Sequence, residues 1–353
     1  MISKLSPVLA LASALVLAAC TQGEPDKASD KAGAAPAPAG VVNLYTARHY
    51  DSDTQIYEAF TKATGIEVRR IEAPAAQLIE RIKAEGASSP ADLLVIADAG
   101  SMGMAADAGL LQPIGNEALL AKAPEHLRDP QGRWFAISRR ARVVAYDTTK
   151  VKPEEIATYE ALATPRFRGK ICVRSSDNPY NLSLMAALIE RWGPQKAEQW
   201  ARGVVANMAR QPSGGDRDQI RAVGAGQCEV AITNSYYYLR LAETPEDKAG
   251  IANVALGWPS LDGRGAHVNV SGAGLVANAP NRANALRFME FLMSPEAQAV
   301  FANVTNEFPV VAGTPLPADV AAYADRPADP LPVSRYAVHQ AEAQRIFERA
   351  GWR

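Results

Sequence analysis

Residues 41–97 read VVNLYTARHYDSDTQIYEAFTKATGIEVRRIEAPAAQLIERIKAEGASSPADLLVIA. Val41–Tyr45 has the length and apolar content of a strand. Across 51–64, Ile56, Ala59, Phe60 and Ala63 recur at helical spacing, with Asp51 or Ser52 as cap and Gly65 as stop. Ile66–Ile71 is a second strand, and Leu78, Ile79 and Ile82 mark a second helix. Asp92–Ala97, with its run Leu-Leu-Val-Ile, is a third strand, apolar enough to be buried on both faces. This alternation predicts an α/β fold with a parallel sheet and helices on both sides.

A second α/β unit is expected from Ala141 onward. Its strands are Val143–Tyr146, Gly169–Arg174, Cys228–Thr233 and Val254–Trp258; its helices cover Leu182–Trp192, about Gln195–Asn207, and 216–223. His267–Asn278 carries apolar residues around Ser271-Gly272-Ala273-Gly274 and reads as a return crossing to the first unit. A helix over Asn281–Met293 and a further one over 295–302 follow. Two units joined by crossings near Ser138–Val143 and Val268–Gly272 predict a hinged cleft. The expected division is 41–140 plus 272–320 for the first domain and 141–271 for the second. Segment 321–353 contains an amphipathic helix at Tyr336–Arg349 that packs on the body.

The N-terminus speaks to location. Val8–Ala19, preceded by Lys4 and broken only by Ser13, falls short of the about 20 residues a membrane span needs. It reads as the apolar core of a signal peptide. Leu17-Ala18-Ala19-Cys20 resembles a bacterial lipobox, so residues 1–20 are expected to be a signal peptide and Cys20 the lipidated mature terminus. A plain secretory signal with an incidental cysteine is the alternative. Residues 21–40, rich in Ala, Pro, Lys and Asp, form a flexible tether. The expected location is the periplasm, with membrane contact through the lipid only. The net charge is −1, from 37 basic and 38 acidic residues mixed along the chain, and there is no basic block for nucleic acid. A monomer is expected. Cys172 and Cys228 each sit in a β-rich run, and the exported location permits a disulfide; two buried free thiols are the alternative.

Tyrosines carry the functional signal. Tyr236, Tyr237 and Tyr238 stand in a row after the run Val230–Thr233, and Tyr50 and Tyr180 also follow strand-like runs. Open parallel sheets bind ligands beyond the carboxyl ends of their strands. Phenolate oxygen is a hard anionic ligand, suited to a hard trivalent cation and above all ferric iron. A polyamine or sugar would also draw on aromatic rings in a cleft. Polyamine binding needs acidic residues, and the strand-end loops offer mainly Asp177. Hydrolase motifs are absent: neither Gly-x-Ser-x-Gly nor a phosphate-binding Gly-x-x-x-x-Gly-Lys-Ser/Thr occurs. Catalysis is not expected. Ser213-Gly214-Gly215-Asp216 reads as a loop, with an anion nest as the alternative.

Six blocks carry a family resemblance: Tyr-Thr-Ala-Arg-His-Tyr at 45–50, Arg-Ile-Lys-Ala-Glu-Gly at 81–86, Ser-Pro-Ala-Asp at 89–92, Arg-Ala-Arg-Val at 140–143, Arg-Ser-Ser-Asp-Asn-Pro-Tyr-Asn at 174–181 and Asn-Ser-Tyr-Tyr at 234–237. Over about Val41–Ala302 the chain resembles the periplasmic ferric-iron-binding proteins of ABC importers, the bacterial transferrin-like group of the two-domain type II binding-protein fold. The resemblance implies Fe³⁺ as cargo, with Fe²⁺ as the alternative, and delivery to an ABC permease. It implies Tyr50, Tyr180, Tyr236 and Tyr237 as ligands. His49 matches a position that is a ligand in some members and withdrawn in others, and Tyr238 a non-ligand position. Tyrosines take the place of the ligand carboxylate used in another branch with a bound anion. Arg48, Arg140 and Arg142 could hold carbonate or another anion, hydrogen-bond the phenolates and lower their pKa, or form ordinary salt bridges.

Overall fold

The computed structural model describes residues 40–48, 50 and 53–353. The signal peptide, Cys20, the tether up to residue 39, and His49 lie outside the described residues.

The opening segment folds in the expected order. Strand β1 (Val41–Thr46) lies between β2 (Glu67–Glu72) and β3 (Leu93–Ile96), parallel to both. Helix Asp53–Thr64 buries Ile56, Tyr57 and Phe60, and helix Ala75–Glu85 buries Leu78, Ile79 and Ile82. β3 is wholly buried, whereas β2 is an edge strand whose charged residues face solvent.

The sheet is not parallel throughout. β4 (Trp134–Asp147) is one strand of 14 residues, where the apolar pattern marks only Val143–Tyr146. Arg139, Arg140 and Arg142 interrupt that pattern, yet Arg140 and Arg142 are buried because each has ion-pair partners. β5 is Ile171–Cys172, β6 Val230–Asn234, β7 Val254–Gly257, β8 Val268–Leu275 and β9 Phe308–Pro309. The strand order is β2-β1-β3-β8-β4-β6-β5, with β7 and β9 also paired to β4. β8 is the return crossing, antiparallel to both β3 and β4. Residues 134–141 of β4 pair with β8, and residues 142–147 with β6 and β7. The two halves of the molecule are thus strung on β4, with β8 as the second connection. Parallel pairing holds within β2-β1-β3 and between β5 and β6.

The Ser-Gly-Ala-Gly run sits in β8 because helix Ala99–Asp107 lies flat on it. A Cβ at Gly272 would come within 2.8 Å of Met102 Cγ, and one at Gly274 within 2.7 Å of Leu111 Cδ1. Helix Arg335–Ala350 packs against helix Pro179–Trp192. Arg335 pairs with Glu190 at 3.1 Å, and the Trp352 indole donates to the carbonyl of Arg174 at 3.0 Å. Among the described residues no helix is long and apolar enough to cross a membrane.

Cys172 on β5 and Cys228 just before β6 are joined by a disulfide, with Cα atoms 5.9 Å apart. Their sequence separation of 56 gives a chain-entropy stabilisation of about 4 kcal/mol. Denatured, unreduced protein is expected to titrate no thiol from this pair. Cys172→Ala/Cys228→Ala should unfold at clearly lower denaturant; equal midpoints would show that the bond contributes nothing.

Candidate functional site

Local structure delivers the tyrosines. β6 runs straight into helix Ser235–Leu241, so Tyr236 and Tyr237 occupy its first turn. Adjacent helical residues point about 100° apart, and the two rings lie 4.2 Å apart between centroids. Tyr238 turns one step further and donates to the carbonyl of Val254 on β7 at 2.9 Å, a packing position. Tyr180 lies in the first turn of helix Pro179–Trp192, which begins before the expected Leu182, and the cap Asn178 accepts from the Tyr180 N–H at 3.0 Å. Tyr50 lies on the loop after β1.

The loops meet. Tyr50 Oη and Tyr236 Oη are 2.8 Å apart, and Tyr236 Oη lies 3.5 Å from Tyr180 Oη. Tyr50 and Tyr236 approach edge to face with centroids 6.2 Å apart. Three phenol oxygens therefore converge, with the Tyr237 ring tilted beside that of Tyr236. Among the described residues no group of three or more His, Cys, Asp and Glu is placed to hold a metal.

Two buried carboxylates organise the surrounding cations. Glu307, wholly buried, accepts from Arg48 Nη2 at 2.9 Å and Arg140 Nη1 at 3.2 Å, and from the Thr305 hydroxyl at 3.1 Å. Arg48 also pairs with Asp53 at 2.7 Å. Asp216 accepts from Arg142 at 2.6 Å, from Arg174 at 3.3 Å and from the Asn234 N–H at 2.7 Å. Arg140 and Arg142 alternate on β4, so both project to one face, and their guanidinium carbons lie 5.6 and 5.9 Å from the Tyr180 ring centroid. Arg139 points the other way, over Phe308.

The three arginines named from sequence thus form buried ion pairs behind the tyrosines. Their expected effect on the phenols is outweighed. Burial, followed by the neighbouring phenols, pushes Tyr50 and Tyr236 well above the ordinary phenol value, with Arg140 only opposing; burial and Tyr180 push Tyr237 up in the same way. Burial would also raise Glu307, but Arg48 and Arg140 hold its carboxyl below the usual range. Neither Glu307 nor the bridging role of Asp216 announces itself in sequence: Asp216 stands in a run read as a loop, and Glu307 belongs to no motif.

A cavity of about 540 Å³ opens beside the tyrosines, lined by Tyr50, Tyr237, Arg174, Arg217, Arg240 and Asp216 among others. Asp216 begins helix Asp216–Gly224. A larger cavity of about 640 Å³, between Pro113, Glu117, His126 and Pro332, lies apart from the tyrosines and has no converging ligand set.

This architecture, an α/β body with two connections under a cleft lined by strand-end residues, is that of the type II solute-binding proteins. The chain belongs to the family of bacterial extracellular solute-binding proteins, whose profile matches residues 55–328. It is 45% identical over 314 residues to iron uptake protein A1 of Synechocystis sp., covering 88% of this chain and 87% of that one. It is 29% identical over 276 residues to the major ferric iron-binding protein of Neisseria meningitidis, covering 76% and 80%. Among solved structures, a Trichodesmium protein (IdiA, FutA) in complex with iron and citrate superposes with a TM-score of 0.84 at 48% identity, over 89% of this chain and all of that one. The ferric binding protein from Campylobacter jejuni gives 0.84 at 38%, over 88% and 100%.

His267 lies behind the same arginines, buried against Tyr336 with both ring nitrogens unpartnered. Burial first, then Arg142 and Arg140, lowers its pKa from 6.5 to about 3. The unfolded imidazole binds a proton that the folded one refuses, so stability is full above the unfolded value and falls as pH drops from about 6.5 toward 3. His267→Leu is expected to flatten the loss of Tm across that window relative to the parent. Parallel Tm–pH curves would remove His267 from the acid response.

Proposed function

We propose that this protein captures Fe³⁺ in the cleft through Tyr50, Tyr180, Tyr236 and Tyr237, with His49 as a further ligand candidate, and delivers it to an ABC permease. One observation carries the reading: three phenol oxygens drawn from separate strand ends stand 2.8 and 3.5 Å apart. Phenols at such spacing, buried and mutually unfavourable as anions, gain most from a hard trivalent cation that neutralises them as their protons leave. The iron-uptake and ferric-binding relatives support the same cargo. The domains would be 41–140 with 272–320, and 141–271, closing over the metal about β4 and β8. The arginine-lined cavity beside Tyr50 and Tyr237 suits carbonate or a metal-bound carboxylate better than Arg48, Arg140 and Arg142, whose charges are already matched. Cys20 would carry the lipid that holds the protein at the membrane.

Titration with ferric citrate is expected to produce a broad visible phenolate-to-iron band. Tyr236→Phe and Tyr237→Phe keep the ring and lose one oxygen; each should weaken iron binding by roughly a hundredfold or more, beyond the usual effect of losing an outer-shell partner, and alter the band. Tyr238→Phe should do neither. Stoichiometric iron without colour, or loss of iron on Tyr238→Phe but not on Tyr236→Phe, would sink this ligand set. Separately, Cys20→Ser is expected to release the protein from the membrane fraction; unchanged partitioning would refute the lipid anchor.

A further inference from the structure

We propose that Glu307 is a positioning residue that sets the valence preference of the tyrosine site, favouring a trivalent over a divalent cation. The inference rests on the phenol ligation proposed above and concerns charge rather than contact.

Counting charges around the cluster leads to it. Arg48, Arg140 and Arg142 are buried behind the tyrosines, and Asp53, Glu307 and Asp216 are the buried carboxylates paired to them. With Arg174, which shares Asp216 with Arg142, four cations meet three anions, so the carboxylates cancel all but one of the positive charges behind the phenols. Most of the negative charge of bound phenolates is then left for the cargo to cancel, and a higher cation charge is rewarded.

Glu307 is the member of that set best placed to tune the balance. It bridges Arg48, which stands two residues before Tyr50, and Arg140, which faces Tyr180. It is 0% exposed, so solvent screens it little. Its contacts place Arg48 at 4.8 Å from the Tyr50 ring centroid and hold Arg140 against β8 through Ser271 and the Val270 carbonyl. Without its charge the shell carries one more positive charge, which costs a trivalent ion more than a divalent one. For one unit of charge at the range of a neighbouring side chain, the differential is roughly tenfold or more in the ratio of affinities.

The midpoint potential of the iron-loaded protein reads that ratio directly. Glu307→Gln keeps the shape and most hydrogen-bonding capacity and removes the charge; Glu307→Asp keeps the charge on a shorter arm. The potential should move positive in Glu307→Gln, by the amount equivalent to a roughly tenfold or greater loss in Fe³⁺ over Fe²⁺ affinity, while Glu307→Asp stays near the parent. An unchanged potential in Glu307→Gln overturns the proposal, and so does an equal shift in both variants, which would mean packing rather than charge. If Glu307→Gln fails to fold, Asp216→Asn, at the opposite end of the shell, carries the test in the same direction. Failure of the parent protein to bind iron would instead strike the ligand assignment.

Discussion

The fold depends on two buried carboxylates, Glu307 and Asp216, each bridging two arginines. β4 threads through both halves of the molecule, and Arg140 and Arg142 sit where it passes from one to the other. An unpaired guanidinium there would be prohibitively costly to bury, and truncating one partner of such a pair typically costs about 3–5 kcal/mol. The sequence position of these arginines is therefore paired with distant acids: Glu307 is 167 residues from Arg140, and Asp216 is 74 from Arg142. Ion pairs thus accompany strand pairing where β4 passes between the halves.

The same arrangement prepares the cleft. Each bridging carboxylate fixes arginines whose flat faces lie behind a tyrosine, so the rings are backed by ordered polar groups. Ser271 in the glycine-bearing run of β8 accepts from both Arg48 and Arg140. Thus the loop after β1, the long strand β4 and the return strand β8 are fastened at one point behind the tyrosines. The tyrosines differ in support: Tyr236 is fully buried, whereas Tyr50, Tyr180 and Tyr237 retain partial exposure toward the opening.

Much of this was legible in the chain. Periodicity across 41–97 gives the first strands and helices, and a tyrosine after each of three strand-like runs gives the phenols that meet. Four things were not legible. The long strand β4 is masked because ion-paired arginines occupy buried positions that a hydrophobic pattern assigns to solvent. The antiparallel return through β8 depends on pairing partners far away in sequence. The apolar pattern begins the helix after Tyr180 only at Leu182; in the fold Asn178 caps a helix that begins at Pro179. Glu307 escapes because a lone glutamate before a short strand has no periodic or motif signature; only its burial singles it out.

The seating of Trp352 on the Arg174 carbonyl joins positions 178 residues apart. The Arg174 side chain in turn pairs with Asp216, so the last residues of the chain are tied through one residue to a corner of the cleft. Contacts of such long range form slowly, because the intervening chain must first surrender its freedom. The C-terminal turn is therefore a late brace for the segment that carries Arg174 and Tyr180.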